Sequence, residues 1–299
     1  MNRGATGTIS LRRIYRNTVG DYLMLIKMRL TSLVVFTAIA SYLIASDLSF
    51  SLPHVILLGI GGFCVAGASN ALNQVLEKDY DVLMKRTRER PVATGRMTMS
   101  HAVMFAGLLC MTGVTALAVF NVLAAFLGML AFITYAFVYT PLKRYSSAAV
   151  FVGAVAGAMP MMIGVVAWTG SITWLAIALF VVQFAWQYPH FWAIGFLGFQ
   201  DYKNAGFQFV PSKGGSIDPI IGVSSIIYSG ILVVLSIMMI YLQLVGIAAG
   251  VIMTLLGATY FIFACKFYRN FDMTSAKKLM FSSLVYIPLV MFILLIDKI

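Results

Sequence analysis

Asn73, Glu77 and Asp81 stand four residues apart where a long apolar run ends. On a helix turning about 100° per residue they share one stripe, within roughly 80° of one another, while Asp79 points to the other side. Two carboxylates and an amide oxygen arranged this way suit a hard divalent cation. Mg²⁺ takes few carboxylates and fills its remaining octahedral positions with water and phosphate oxygens. Lys85, Arg86 and Arg90 follow directly, cations that would neutralise such phosphates, Arg with two parallel hydrogen bonds. Between Glu77 and Arg90 lie four of the ten acids and five of the 21 Lys and Arg. A second charged stretch, FQDYKNAGFQFVPSKGG at 199–215, supplies Asp201, Lys203 and Lys213. If the two stretches face each other, Glu77 and Asp81 meet Asp201 around a shared metal and phosphate. A plainer reading stands beside this one: charges mark where a helix leaves the membrane, and acids and bases there pair with each other. The acids weigh toward chemistry, because marking topology needs only Lys and Arg.

These residues sit in a chain that is 61% hydrophobic and 10% charged, against about 25% charged in a soluble domain. Nine apolar runs recur, near 30–47, 54–76, 101–120, 122–141, 148–168, 172–196, 219–243, 245–265 and 279–297. Each is long enough to cross a hydrocarbon core of about 30 Å, and backbone groups in lipid must bond within their own segment, so each is expected to be a helix. The expected fold is all-α: a polytopic membrane protein, one domain over 1–299, with a nine-transmembrane-helix bundle. Residues 1–29 form a lead-in, and the loops at 77–100 and 197–218 form caps. Twenty of the 21 Lys and Arg fall on one face of this layout, and Lys298 alone lies opposite. The excess of basic residues makes that face cytoplasmic, with the amino terminus inside. It also accounts for the net charge of +11 without nucleic acid. The basic start lacks the apolar stretch of a secretory signal. Cys64, Cys110 and Cys265 lie in apolar runs without ligand spacing and read as packing residues.

His190 lies about two turns before the sixth run ends, beside Gln187 and Trp192. An ionisable group inside a membrane is costly and marks function by default; the alternative is a histidine bonded to a neighbouring helix. His54 and His101 sit at span ends and read as interfacial. Gly153 and Gly157 read as a close helix contact, and Pro160 as a kink in that helix. A transporter is a competing class, but carriers place acids near the bilayer midplane, and no run here holds Asp, Glu, Lys or Arg deep in its interior.

Asn-x₃-Glu-x₃-Asp followed by MKRTRERP resembles the first signature of the UbiA-type intramembrane prenyltransferases, and more narrowly of their heme O synthase (protoheme IX farnesyltransferase) branch. KMRLTSLVVFTAIA at 27–40 resembles that family's Lys-Pro-Arg lead into the first helix, with Met28 in place of Pro. YTPLKR at 139–144 and AGAMPMMIGVVAWTG at 156–170 resemble the region of the fifth helix. PHFWAIGFLGFQDYKNAG at 189–206 resembles the second signature, with Ala205 where many members carry another acid. The resemblance implies a nine-helix bundle with a lipid-open cavity in a bacterial inner membrane. It implies Mg²⁺-dependent transfer of farnesyl from farnesyl diphosphate to a vinyl group of protoheme IX (heme B). It assigns Asn73, Glu77, Asp81 and Asp201 to the metal, and Arg29, Arg86, Arg90, Lys143 and Lys213 to diphosphate. His190 becomes a heme contact, and Tyr135, Tyr139 and Phe191 shield a carbocation. Relatives acting on a quinone precursor or chlorophyllide remain the alternative within the family. Transient contact with a heme A synthase or with terminal oxidase assembly would fit the product's fate.

Overall fold

Apolar runs in lipid have no partner for their amides except themselves, and here each becomes a helix. The computed structural model describes residues 11–46 and 49–298, with side chains from Thr18 onward. Arg3 and the side chains of Arg12, Arg13 and Arg16 lie outside the described residues. The helices are α1 Leu11–Leu25, α2 Met28–Ala45, α3 Leu52–Leu76, α4 Lys78–Asp81, α5 Met99–Ala118 and α6 Val122–Ile133. A π-helical turn, Thr134–Tyr139, carries α6 into the short α7 Thr140–Leu142. Then come α8 Ala149–Thr169, α9 Trp174–Leu197, α10 Phe199–Asn204, α11 Ile220–Tyr241, α12 Ile247–Asn270 and α13 Met273–Ile296. A two-residue hairpin, β1 Ser212–Lys213 with β2 Ser216–Ile217, turns at Gly214 and Gly215.

Among the described residues, eight helical segments are long and apolar enough to cross a membrane: α2, α3, α5, the rod from α6 through α7, α8, α11, α12 and α13. The chain is a multi-pass integral membrane protein. The expected sixth run is α9, which has 24 residues but interleaves Gln183, Gln187 and His190 with its apolar positions. Side chains start several of these helices. Ser51, Thr98, Asn121, Thr173 and Asp272 each accept a first-turn amide, satisfying donors that a helix leaves open.

Lipid is as apolar as leucine, so these helices are held together by close fit. A Cβ on Gly164 of α8 would strike the Ala38 carbonyl and the Ser41 hydroxyl of α2. Gly153 and Gly157 fill the packing role expected of them, lying against the Tyr139 ring and the Gln187 amide. Pro160 sits inside α8, which runs on through it. The cysteines are free, Cys64 and Cys110 buried and Cys265 partly so. The lead-in holds more structure than its composition suggested: α1 occupies it, tied to the first cap loop by Arg96 Nε on Asp21 at 2.9 Å.

Candidate active site

Three amides line the inner face of α3's last turns: Asn70, Asn73 and Gln74, all buried. Two of them hold the elbow between α1 and α2. Gln74 Nε2 donates to the Met24 and Leu25 carbonyls at 2.8 and 3.0 Å, and Asn70 Nδ2 to Ile26 O at 3.3 Å and Thr31 Oγ1 at 3.0 Å. At that elbow Lys27 has φ 52° and ψ 57°, a left-handed conformation that residues with a Cβ seldom adopt. The turn aims Lys27 Nζ at Asn73 Oδ1, 2.7 Å away. The other end of Asn73 donates to Thr140 Oγ1 at 3.2 Å. Thr140 Oγ1 donates in turn to the Tyr135 carbonyl at 2.9 Å, the same oxygen that accepts the Thr140 amide and closes the π turn. The Tyr135 and Tyr139 rings lie 5.1 Å apart on this wall, and Tyr135 reaches Asn70 Oδ1 at 3.4 Å.

α3 stops at Leu76, and Glu77 breaks it with φ −100° and ψ 6°. The continuous helical stripe expected through Asp81 is therefore interrupted. The spacing survives, because Glu77 N donates to Asn73 O at 3.0 Å and Asp81 N to Glu77 O at 2.8 Å across the break. Both carboxylates turn inward: the Glu77 side chain is 3% exposed and that of Asp81 0%. Asp79 is exposed, as its place off the stripe predicts. Arg90 Nη1 grips both Asp81 oxygens at 2.8 and 2.7 Å and lies 3.7 Å from Glu77. Lys143 pairs with Glu77 Oε1, and its ammonium also sits over the Tyr139 ring at 4.8 Å. That oxygen has no hydrogen bond of good geometry besides this charge contact.

Burial pushes the Glu77 carboxyl up, but Lys143, Lys27 and Arg90 together hold it below the ordinary carboxylate range. At Asp81 burial prevails over Arg90 and raises the carboxyl. Burial, then the charges of Arg90, Lys143 and Arg86, draw Lys27 well below the usual lysine range, with Glu77 opposing. Three crowded cations around two acids leave a place for an anion. The all-oxygen donors Asn73, Glu77 and Asp81 fit a hard cation.

The two cap loops do meet. The Tyr80 ring lies 5.5 Å from that of Phe207, and Gln208 N donates to Lys143 O at 3.1 Å. Asp201 is half-buried at the start of α10. Among the described residues no three of His, Cys, Asp and Glu lie close enough together to hold a metal, so the expected meeting of Asp201 with Glu77 and Asp81 in such a group is not seen. Arg86 is exposed, near enough for its charge to bear on Lys27. Arg29 and Lys213 are exposed, and neither forms an ion pair with the site's acids. The basic residue of KMR that enters the cluster is Lys27, placed by its bond to Asn73.

His190 Nδ1 lies 2.7 Å from Ser283 Oγ on α13, with its ring stacked on Trp186 at 5.0 Å. The Ser283 hydroxyl also reaches the Met280 carbonyl at 2.5 Å, which fixes the serine that orients the His190 ring. Phe191 packs near Phe209, 6.5 Å between rings. Apolar grooves of about 410 and 580 Å³ lie between α12 and α13 and between α9 and α11, and neither is lined by a residue of the charged cluster.

The inward acid pair and its ring of cations lie at one end of a membrane bundle, and the sequence matches the UbiA prenyltransferase family over residues 34–295. The chain belongs to that family. Its relatives narrow the class. A protoheme IX farnesyltransferase of Flavobacterium psychrophilum is 40% identical over 291 residues, covering 95% of this chain and 96% of that one. Another, from Christiangramia forsetii, is 38% identical over 285 residues, covering 94% of each. Among solved structures, one concerning digeranylgeranylglyceryl phosphate synthase superposes with TM-score 0.80 at 17% identity, over 94% of this chain and 99% of that one. A UbiA homolog from Archaeoglobus fulgidus bound to GPP and Mg²⁺ gives TM-score 0.67 at 16% identity, over 92% and 99%.

Proposed function

We propose that this chain transfers the farnesyl group of farnesyl diphosphate to a vinyl group of protoheme IX, with addition of one water, giving heme O and diphosphate. The observation that carries the reading is the burial of Glu77 and Asp81, turned inward among Lys27, Arg90 and Lys143. The named relatives supply the substrates, and the Archaeoglobus fulgidus homolog supports a divalent metal. Asn73, Glu77 and Asp81 would hold Mg²⁺, with Asp201 added from the second cap loop. Bound there, Mg²⁺ stabilises negative charge on the departing diphosphate.

The chain's own groups do the rest. Lys143 and Arg90 now neutralise the acids, and with Lys27 they are the cations that would hold phosphate oxygens. Arg86, Arg29 and Lys213 draw the anionic head toward the mouth. The carbon–oxygen bond breaks with its electron pair leaving on phosphate, the vinyl π electrons form the new carbon–carbon bond, and water adds to the cation left on the neighbouring vinyl carbon and loses a proton, giving the hydroxyethylfarnesyl chain. Tyr135 and Tyr139 keep water from the allylic cation. His190, its ring oriented by Ser283 through Nδ1, is suited to the heme iron or to proton transfer near the vinyl carbon. In the membrane α9 serves as the ninth span, with the amino terminus and the site on the cytoplasmic face of the inner membrane. Heme A synthase or oxidase assembly would receive the product.

Incubation with labelled farnesyl diphosphate, Mg²⁺ and either heme B or 4-hydroxybenzoate tests this. Label in heme alone is expected; label in the benzoate would move the chain to another branch of the family.

A further inference from the structure

Arg144 follows Lys143 yet points elsewhere. Its Nη2 donates to the Leu76 carbonyl at 2.6 Å, and its guanidinium carbon lies 3.9 Å from the centre of the Tyr80 ring. Carbonyls in a helix's last turn lack partners within the helix and favour a cation. The Leu76 carbonyl also shares a rigid peptide plane with the Glu77 amide. That amide is fixed from its other side by Asn73 O at 3.0 Å. Gripping Leu76 O therefore sets the plane from which the Glu77 side chain departs. Tyr80 belongs to α4, between Glu77 and Asp81, and its ring meets Phe207 of the second cap loop at 5.5 Å. One guanidinium thus joins the end of α3 to α4 and, through Tyr80, to the loop at 199–218. Its Nε is buried without a hydrogen bond, so Arg144 is held by a carbonyl and a ring face, and it forms no ion pair with the acids it borders.

We infer that Arg144 is a positioning residue that holds Glu77 and Asp81 in register for a divalent cation and diphosphate, touching neither. The inference rests on the metal–diphosphate reading of the site. Mn²⁺ binding in the presence of inorganic diphosphate, followed by electron paramagnetic resonance on the purified full chain, tests it apart from turnover. Arg144→Met should weaken Mn²⁺ binding by about 10- to 100-fold, the range for lost support of a metal ligand. Arg144→Lys keeps the charge but loses the planar stack, and should fall between. KM for farnesyl diphosphate should rise in parallel while KM for heme stays put. Should Arg144→Met fail to fold, Arg144→Lys and Tyr80→Leu carry the same test. Wild-type Mn²⁺ affinity in the variants would overturn the role of Arg144, as would an equal rise in both KM values. No Mn²⁺ binding by the wild type would overturn the metal reading itself.

Discussion

Asp81→Asn and Arg90→Met, made singly and together, probe the pair at the heart of the site. The Asp81 side chain is wholly buried, that of Arg90 is 11% exposed, and two hydrogen bonds of 2.8 and 2.7 Å join them. Charge-assisted hydrogen bonds are worth about 1.5–3 kcal/mol each, and stranding one partner of a buried pair costs about 3–5 kcal/mol. Arg90→Met strands Asp81 completely and should cost about 4 kcal/mol. Asp81→Asn still offers one acceptor, and Glu77 lies 3.7 Å from Arg90, so about 3 kcal/mol is expected. The double variant leaves no unpaired charge and should lose about 2–3 kcal/mol less than the sum of the two. Denaturant unfolding in detergent, read by tryptophan fluorescence, supplies the cycle. Additive losses would refute the pairing, because two groups that do not interact cannot compensate each other.

Glu77→Gln should abolish turnover with the folded protein intact, whereas Asp79→Asn, an exposed position, should keep activity within about threefold; steady-state rates decide. Lys27→Met should raise KM for farnesyl diphosphate at least tenfold, and Arg29→Met only by the few-fold expected of a steering charge. Gly164→Ala drives a methyl into the Ala38 carbonyl and should cost about 1–3 kcal/mol, the range for overpacking, seen as a lower melting temperature. Ser283→Ala frees His190 Nδ1 from its partner. It should change the absorption of bound heme if Nε2 meets the iron, and leave the spectrum unchanged if it does not.

The acids were legible in the sequence because a four-residue spacing survives the break at Glu77: the backbone bonds on either side still span four residues. The break itself was hidden, since neither Gly nor Pro marks it and Arg144 lies 68 residues beyond the carbonyl it holds. Lys27 was hidden for the same reason. Its left-handed turn depends on Asn70 and Gln74, some 44 to 50 residues away. The π turn at Thr134–Tyr139 carries no punctuation either, and only the backbone bond from Thr140 N to Tyr135 O reveals it. The apolar runs were plain, because in lipid length and composition dictate a helix. How Asp201 and Lys213 sit relative to the acids is a matter of loop packing, set by Tyr80, Phe207 and the backbone of Lys143, and no periodicity encodes it.

The central claim is met most directly by mass analysis of heme after one turnover of purified protein with farnesyl diphosphate, Mg²⁺ and heme B. The account predicts a hydroxyethylfarnesyl heme from the wild type and unaltered heme B from Glu77→Gln. Farnesylated heme from Glu77→Gln at the wild-type rate would contradict it.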